Sequence, residues 1–268
     1  MAASGELRRP AALSMRRRVH LLRLGIVVVL LVAWQALSLS GLLFRDVVPP
    51  LGAIGRQLLA LLGTADFHVN LGITLSEIGV AMLIGGLSGL ATGLLLGANP
   101  FLSRAYESLV YYLGPTPKII FFPVMIMWFG VASGSKIAMG AISCFFPIAI
   151  SAAAGVRAID DVLIRVGRSF RASRWQMATR IYLPAMRAAV INGLRLGLGV
   201  AIIGTLLAET KLSNRGVGYL IIQAYATFDM PRMYALIIVL FVLSIGANAL
   251  LGRLGAAERR YRKSNSKS

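Results

Sequence analysis

Charge is missing from most of this chain. Residues 24–44, 78–103, 137–156 and 233–252 contain no Asp, Glu, Lys or Arg. Residues 108–135 carry only Lys118, and 188–208 only Arg195. An apolar run of about 18 residues or more is long enough to cross a bilayer as a helix. Cysteine is almost absent: Cys144 is alone, so no intrachain disulfide can form. Histidine is scarce as well, with His20 and His68 only. His68 and Asp66 stand two apart, and two ligands without further His or Cys do not make a metal site. No clustered acid and base set stands out, which argues against a membrane-embedded enzyme. No GxxxxGK[ST] phosphate loop occurs either. The stretch Gly130 to Lys136 has the wrong spacing, so any nucleotide chemistry belongs to another polypeptide.

What is abundant is apolar and basic residues. The 268 residues are 57% hydrophobic and carry a formal net charge of +18, with a mean hydropathy of +0.75. In a soluble chain that charge would suggest nucleic acid. Its distribution points to a lipid bilayer instead, and no nucleic acid partner is expected. With the N-terminus in the cytoplasm, 20 of the 28 Lys and Arg fall in cytoplasmic segments and six outside. The inner set clusters before the first span, between the fourth and fifth, and after the last. The outer six are Arg45, Arg56, Lys136, Lys211, Arg215 and Arg232. This positive-inside bias predicts both termini in the cytoplasm.

The expected fold is an all-α membrane protein with six transmembrane helices. Residues 1–23 form a cytoplasmic basic tail and 24–44 the first transmembrane helix. A signal peptide would look similar, but the uncharged run is long for one and Ala36-Leu37-Ser38 is a mediocre cleavage site. A retained helix is expected. Residues 45–71 form an extracytoplasmic segment with a short amphipathic piece around Ile54–Leu62. Residues 72–254 form the core, with spans near 72–98, 104–129, 135–155, 186–208 and 232–254. Residues 255–268 are a second cytoplasmic basic tail.

Gly85, Gly89, Gly93 and Gly97 recur every fourth position on the second span and so share one helical face. Lipid gives no hydrophobic drive between helices, so a stripe of small residues marks close packing. Gly193, Gly197 and Ala201 repeat the device on the fifth span. The third span holds Pro115, Pro117 and Pro123, which remove backbone donors and bend the helix. Freed carbonyls are tolerated where they face protein or a water-filled cavity. Pro115, Pro117, Lys118 and Glu209 are therefore candidates for a translocation pathway. Lys118 would draw an anionic solute inward, or else be a paired or snorkelling lysine. Glu209 would pair with Lys211 or gate the outer mouth. Glu77 and Glu107 read as interfacial. Arg195 reaches back to the cytoplasmic surface or pairs with Glu107.

Residues 156–185 read VRAIDDVLIRVGRSFRASRWQMATRIYLPA. Val162, Leu163, Val166 and Phe170 are spaced for one helical face, with Arg165 and Arg168 on another. A break falls at Ala172-Ser173, where Ser173 can cap a second helix, and Pro184 ends it. Such a pair of short helices suits docking of a partner. Alternatively it lies in the headgroups with its arginines snorkelling to anionic lipid.

This segment resembles the coupling loop of ABC-type importer permeases, the binding-protein-dependent transport family. The ending Ile181-Tyr182-Leu183-Pro184 matches, and Ala172-Ser173-Arg174-Trp175-Gln176 is typical of the nitrate/sulfonate/taurine branch. The opening differs. Arg165, Val166 and Gly167 stand where Glu-Ala-Ala is usual, and Arg171 stands where Gly is usual. Other pieces resemble the same branch: Thr74-Leu75, Pro115-Thr116-Pro117, Phe122-Pro123 through Trp128-Phe129-Gly130, Phe145-Phe146-Pro147, Gly193-Leu194-Arg195, Ala208-Glu209 and Gly216-Val217-Gly218-Tyr219-Leu220. Their order covers about residues 45–255.

The resemblance implies a type I ABC importer transmembrane domain in a bacterial inner membrane. It implies a homodimer, two cytoplasmic ATPase subunits that hold ATP and Mg, and an extracytoplasmic solute-binding protein. It implies that this chain binds no cofactor and is not itself an enzyme. Carried onto this chain, ATPase coupling falls to Asp161, Arg165, Arg168, Ser169, Phe170, Arg171, Ala172, Ser173, Trp175, Leu183 and Pro184. The solute is expected to be a small anion. The competing reading is an ATPase-independent secondary transporter or channel, which would show more paired intramembrane charges and no docking loop.

Overall fold

The computed structural model describes residues 15–42 and 47–265, without the side chains of Arg16 and of 254–265. The tail residues 1–14, with Arg8 and Arg9, lie outside that range, as do Arg45 and the last three residues, Lys267 among them. Every regular element among the described residues is helical. Helix α1 runs Met15–Leu39, so helical structure begins within the basic segment that precedes the first span. Helix α2 (Leu51–Leu62) is the expected short amphipathic piece; Ile54 and Leu61 are its buried residues. Helix α3 (Ala65–Ala98) begins seven residues before the expected start of the second span. Asn99 ends it and caps α4 (Pro100–Leu113), accepting the N–H groups of Phe101 and Leu102.

The third span differs from the single kinked helix expected. Helix α4 and the unit formed by the 3-10 turn Lys118–Phe121 and helix α5 (Phe122–Phe129) meet at 92°. Pro115 and Pro117 each remove a donor, and each pushes the residue before it away from helical geometry. Two such losses within three residues break a helix rather than bend it. Pro123 lies in the first turn of α5, where a missing donor costs nothing. Gly130 then closes α5 at φ 75°, a backbone conformation that favours glycine.

Helix α6 (Ser133–Arg157) is the centre of the molecule, packed between α3 and α10 (Arg187–Lys211). The glycine stripe explains why. A Cβ on Gly89 would stand 2.7 Å from the carbonyl oxygen of Phe145, and one on Gly97 would stand 2.6 Å from Val156 Cβ. On the other side of α6, a Cβ on Gly193 would stand 2.8 Å from Ser151 Cβ, and one on Gly197 would stand 2.6 Å from Ile148 Cδ1. A Cβ on Gly204 of α10 would also stand 2.9 Å from the Met139 carbonyl oxygen, so small residues allow close approach on both sides, as packing in lipid requires. Cys144 is fully buried in this seam.

Helix α11 (Val217–Ala226) and helix α12 (Met230–Asn265) follow α10, and α12 is the last span. Val217, Leu220, Ala235 and Leu236 form a core with Ile54, Leu61 and Phe67. Helix α1 touches this part through Trp34. Its indole sits edge-on to Tyr234 at 5.1 Å and donates to the Pro49 carbonyl at 3.1 Å. Among the described residues, five helices are long and apolar enough to cross a membrane, or six if the bent pair counts as one span.

Candidate functional site

The segment 156–185 folds as a hairpin of short helices at the ends of α6 and α10. Asp160 opens α7 (Asp161–Ser169) by accepting the Val162 N–H at 2.8 Å. The Asp160-Asp161 pair ahead of an apolar run is a start signal the sequence reading passed over. Helix α7 ends with Arg171 at φ 51°, while the Ala172 N–H reaches the Gly167 carbonyl at 3.1 Å. That six-residue closure is the turn glycine favours, which accounts for the glycine usual at this position in the family the segment resembles. Ser173 caps the second arm as expected. Its hydroxyl accepts from the Gln176 N–H at 3.2 Å, and Gln176 Oε1 accepts from the Ser173 N–H at 2.8 Å.

The second arm comprises α8 (Arg174–Gln176), a π-turn (Met177–Tyr182) and α9 (Leu183–Ala185). Pro184 does not end it, contrary to the expectation. It sits at the start of α9, and the Met186 N–H still bonds the Tyr182 carbonyl at 2.9 Å. The ring removes one donor only, and the helix continues past it.

The hairpin has two unlike faces. Gly167 packs under Met177 and Ile181. Ile164, Tyr182 and Ala185 lie against Ala152, Val156, Ile159 and Met186. That inner face fixes the hairpin to α6 and α10. The outer face carries Val162, Leu163, Val166, Phe170 and Trp175, with Phe170 83% and Trp175 76% exposed. Arg165, Arg168, Arg171 and Arg174 stand exposed among them, as do Asp161, Ser169 and Ser173; Ala172 and Leu183 are half-buried and Pro184 is exposed. An apolar patch ringed by cations, on an element tied to two spans, can receive a partner and pass a displacement to the bundle.

Among the described residues no hydrogen bond or ion pair joins the candidate pathway residues Lys118 and Glu209 to each other. The Lys118 amine donates to the carbonyls of Gly114 and Thr116 and lies 5.0 Å from the Phe146 ring. It thus satisfies carbonyls at the elbow that Pro115 and Pro117 create. Pro115 and Pro117 themselves are exposed beside it.

Glu209 is 1% exposed, near the end of α10 away from the hairpin. Its two oxygens accept from Thr74 Oγ1 at 2.7 Å and from the Gly218 N–H at 2.6 Å, not from Lys211. Thr74 Oγ1 in turn accepts the Val217 N–H at 2.8 Å, and Asn70 Oδ1 the Gly216 N–H at 2.7 Å. Three successive donors at the start of α11 are therefore held by side chains of α3 and α10. This buried clasp was missed in the sequence, although Asn70, Thr74 and Glu77 recur on one helical face.

Several single placements also change. Glu77 is not interfacial; it is 3% exposed and faces Glu209 and Lys136. Lys136, counted among the six basic residues outside, is buried in the first turn of α6, with its amine on the Val131 and Ala132 carbonyls. Glu107 pairs with Arg157, both guanidinium contacts at 2.7 Å, and Arg195 donates to Asn248 at 2.8 Å. Helix α4 packs against α6, and of the two alternatives for Arg195 the pair with Glu107 does not form.

Known proteins bear on this arrangement. Residues 81–260 match the family described as binding-protein-dependent transport system inner membrane component. The taurine transport system permease protein TauC of Escherichia coli K12 is 30% identical over 242 residues, covering 87% of this chain and 88% of that protein. The putative aliphatic sulfonates transport permease protein SsuC of Bacillus subtilis 168 is 28% identical and covers 90% of each. The nitrate import permease protein NrtB of Synechococcus elongatus is 26% identical, covering 84% of this chain and 86% of that one. In fold, a chain of the inward-facing MetNI methionine ABC transporter superposes with a TM-score of 0.59 at 18% identity, covering 77% of this chain and 96% of that chain. The helical bundle, its hairpin and these matches together identify the chain as a multi-pass ABC importer permease belonging to the binding-protein-dependent transport system inner membrane components.

Proposed function

We propose that this permease works as a homodimer that moves a small oxyanion inward across a bacterial inner membrane, with both termini in the cytoplasm. Taurine, an aliphatic sulfonate or nitrate are the solutes named for its relatives. An extracytoplasmic binding protein delivers the solute, and two cytoplasmic ATPase chains supply the work, holding ATP and Mg themselves. The observation that carries this reading is the outer face of the hairpin. Phe170, Trp175 and the apolar residues of α7 are exposed where their own chain offers no cover, with four arginines around them. Burying such a face against another protein removes apolar area from water, and the arginines fit an acidic rim.

A displacement of the seated ATPases would act on Ile164, Tyr182 and Met186 and so on α6 and α10 together. Spans locked by glycine contacts move as rigid bodies, which is the motion alternating access needs. Copurification tests the reading. The wild-type permease should hold its ATPase chain in detergent. Arg168→Glu with Arg171→Glu should release it while the permease still elutes as a folded species. A permease that transports solute yet never retains an ATPase would overturn the reading.

A further inference from the structure

The outward stripe of α4 is a polar surface inside a segment long enough to be a membrane span. Ser103, Arg104, Glu107, Ser108, Tyr111 and Tyr112 line an open groove of about 500 Å³. Ten residues of helix extend it over about 14 Å at 1.5 Å per residue. Volumes of this order suit a small ligand. A polar stripe of this kind is costly against lipid tails, and such residues in membrane segments face the protein interior or a water-filled cavity.

The charges in the groove are not balanced. Glu107 is consumed: both its oxygens take the Arg157 guanidinium at 2.7 Å, and the Ser103 hydroxyl also donates to it. The Arg104 guanidinium makes no hydrogen bond or ion pair among the described residues, and the same holds for the hydroxyls of Ser108, Tyr111 and Tyr112. Among the described residues, what remains is the unpaired Arg104 guanidinium, the Ser108 hydroxyl one helical turn on, and the hydroxyls of the adjacent Tyr111 and Tyr112 a further turn on. Lys118, the other candidate for an anion contact, already spends its amine on two elbow carbonyls.

From this geometry we infer that the α4 groove is a solute contact site, in which Arg104 holds an oxyanion and the hydroxyls of Ser108, Tyr111 and Tyr112 carry it along the helix. A guanidinium presents a planar fork of donors that matches a sulfonate, carboxylate or nitrate. The hydroxyls supply neutral donors, which bind an anion weakly enough to release it. This inference rests on the importer reading above. An anionic lipid headgroup has the same chemistry, but it would engage only the first turn near Arg104. The tyrosines lie two turns deeper, so the transported solute is the occupant assigned.

The test uses the complete importer, with permease, ATPase and binding protein, in vesicles, and taurine as the probe. Uptake and binding-protein-stimulated ATP hydrolysis are measured together. Arg104→Gln should lower taurine uptake about tenfold and leave ATP hydrolysis near wild type; Arg104→Lys should recover part of the loss. Tyr112→Phe removes one hydroxyl from an 80% exposed side chain, so it leaves folding intact and should reduce uptake two- to fivefold. Wild-type uptake by both Arg104→Gln and Tyr112→Phe would overturn the inference and leave the importer reading standing. Equal loss of hydrolysis and uptake would also overturn it, since that marks a structural or docking role. If replacing anionic lipids with phosphatidylcholine lowers wild-type uptake to the variant level, the ligand is a headgroup and the inference fails. A wild-type complex with no ATP-dependent uptake of any oxyanion would refute the functional reading and this inference with it.

Discussion

Glu209 and Gly218 meet at the end of the bundle opposite the hairpin: Glu209 Oε2 accepts the Gly218 N–H at 2.6 Å. The contact requires glycine, because a Cβ on residue 218 would stand 2.6 Å from Glu209 Cβ. Thr74 bridges the same carboxylate to α3. Glu209→Gln puts an amide nitrogen that cannot accept in place of one carboxylate oxygen, so either the Thr74 hydroxyl or the Gly218 N–H loses its acceptor, and leaving a buried group unmatched costs about 1–3 kcal/mol. Thermal unfolding in detergent should fall clearly below wild type for Glu209→Gln, and for Gly218→Ala as well. An unchanged melting temperature in both would show that the clasp does not hold α11.

The α3–α6 seam makes a second prediction. A side chain on Gly93 would meet the Ala149 carbonyl oxygen and Ala152 Cβ, each at 2.5 Å, whereas one on Gly79 of the same helix would meet nothing within 4 Å. Gly93→Val should therefore force the helices apart and cut the yield of folded permease severalfold. Gly79→Ala should be neutral. Size-exclusion profiles of the two variants decide the matter, and equal behaviour would contradict the packing account.

Arg171 gives a prediction of opposite sign. It holds a left-handed backbone at φ 51°, which costs a residue with a Cβ roughly 1–2 kcal/mol. Arg171→Gly should stabilise the turn by about 1 kcal/mol while removing one cation from the outer face. Hydrogen exchange at Ala172 and Ser173 should slow. If exchange speeds up instead, the arginine side chain matters more to the turn than its backbone does.

Much of this architecture could be read from spacing alone. Charge-free runs gave the spans because membrane length and hydrogen bonding leave few alternatives. The four-residue glycine repeat marked the face of α3 that meets α6, and Ser173 announced its own cap. Buried polar pairing could not be read this way. Glu77 and Lys136 look like boundary residues in sequence; only the fold brings them beside Glu209, which lies far along the chain. Glu107 had two arginines within plausible reach, and which one it meets depends on the 92° turn after α4. Pairing among distant helices is a property of three-dimensional register, and no local periodicity carries it. The polar stripe of α4 was legible as a pattern but was hidden by the prolines and lysine that follow it.

The central claim is that the hairpin's outer face seats a separate ATPase, and its most direct measurement is a site-specific crosslink. Cys144 is the chain's single cysteine, so Phe170→Cys in a Cys144→Ser background places one thiol on the exposed tip. With a short thiol-to-amine crosslinker in membranes carrying the whole importer, the account predicts a covalent adduct of permease and ATPase that is lost when Arg168→Glu is added. ATP-driven uptake by a Phe170→Cys importer that forms no such adduct would contradict it.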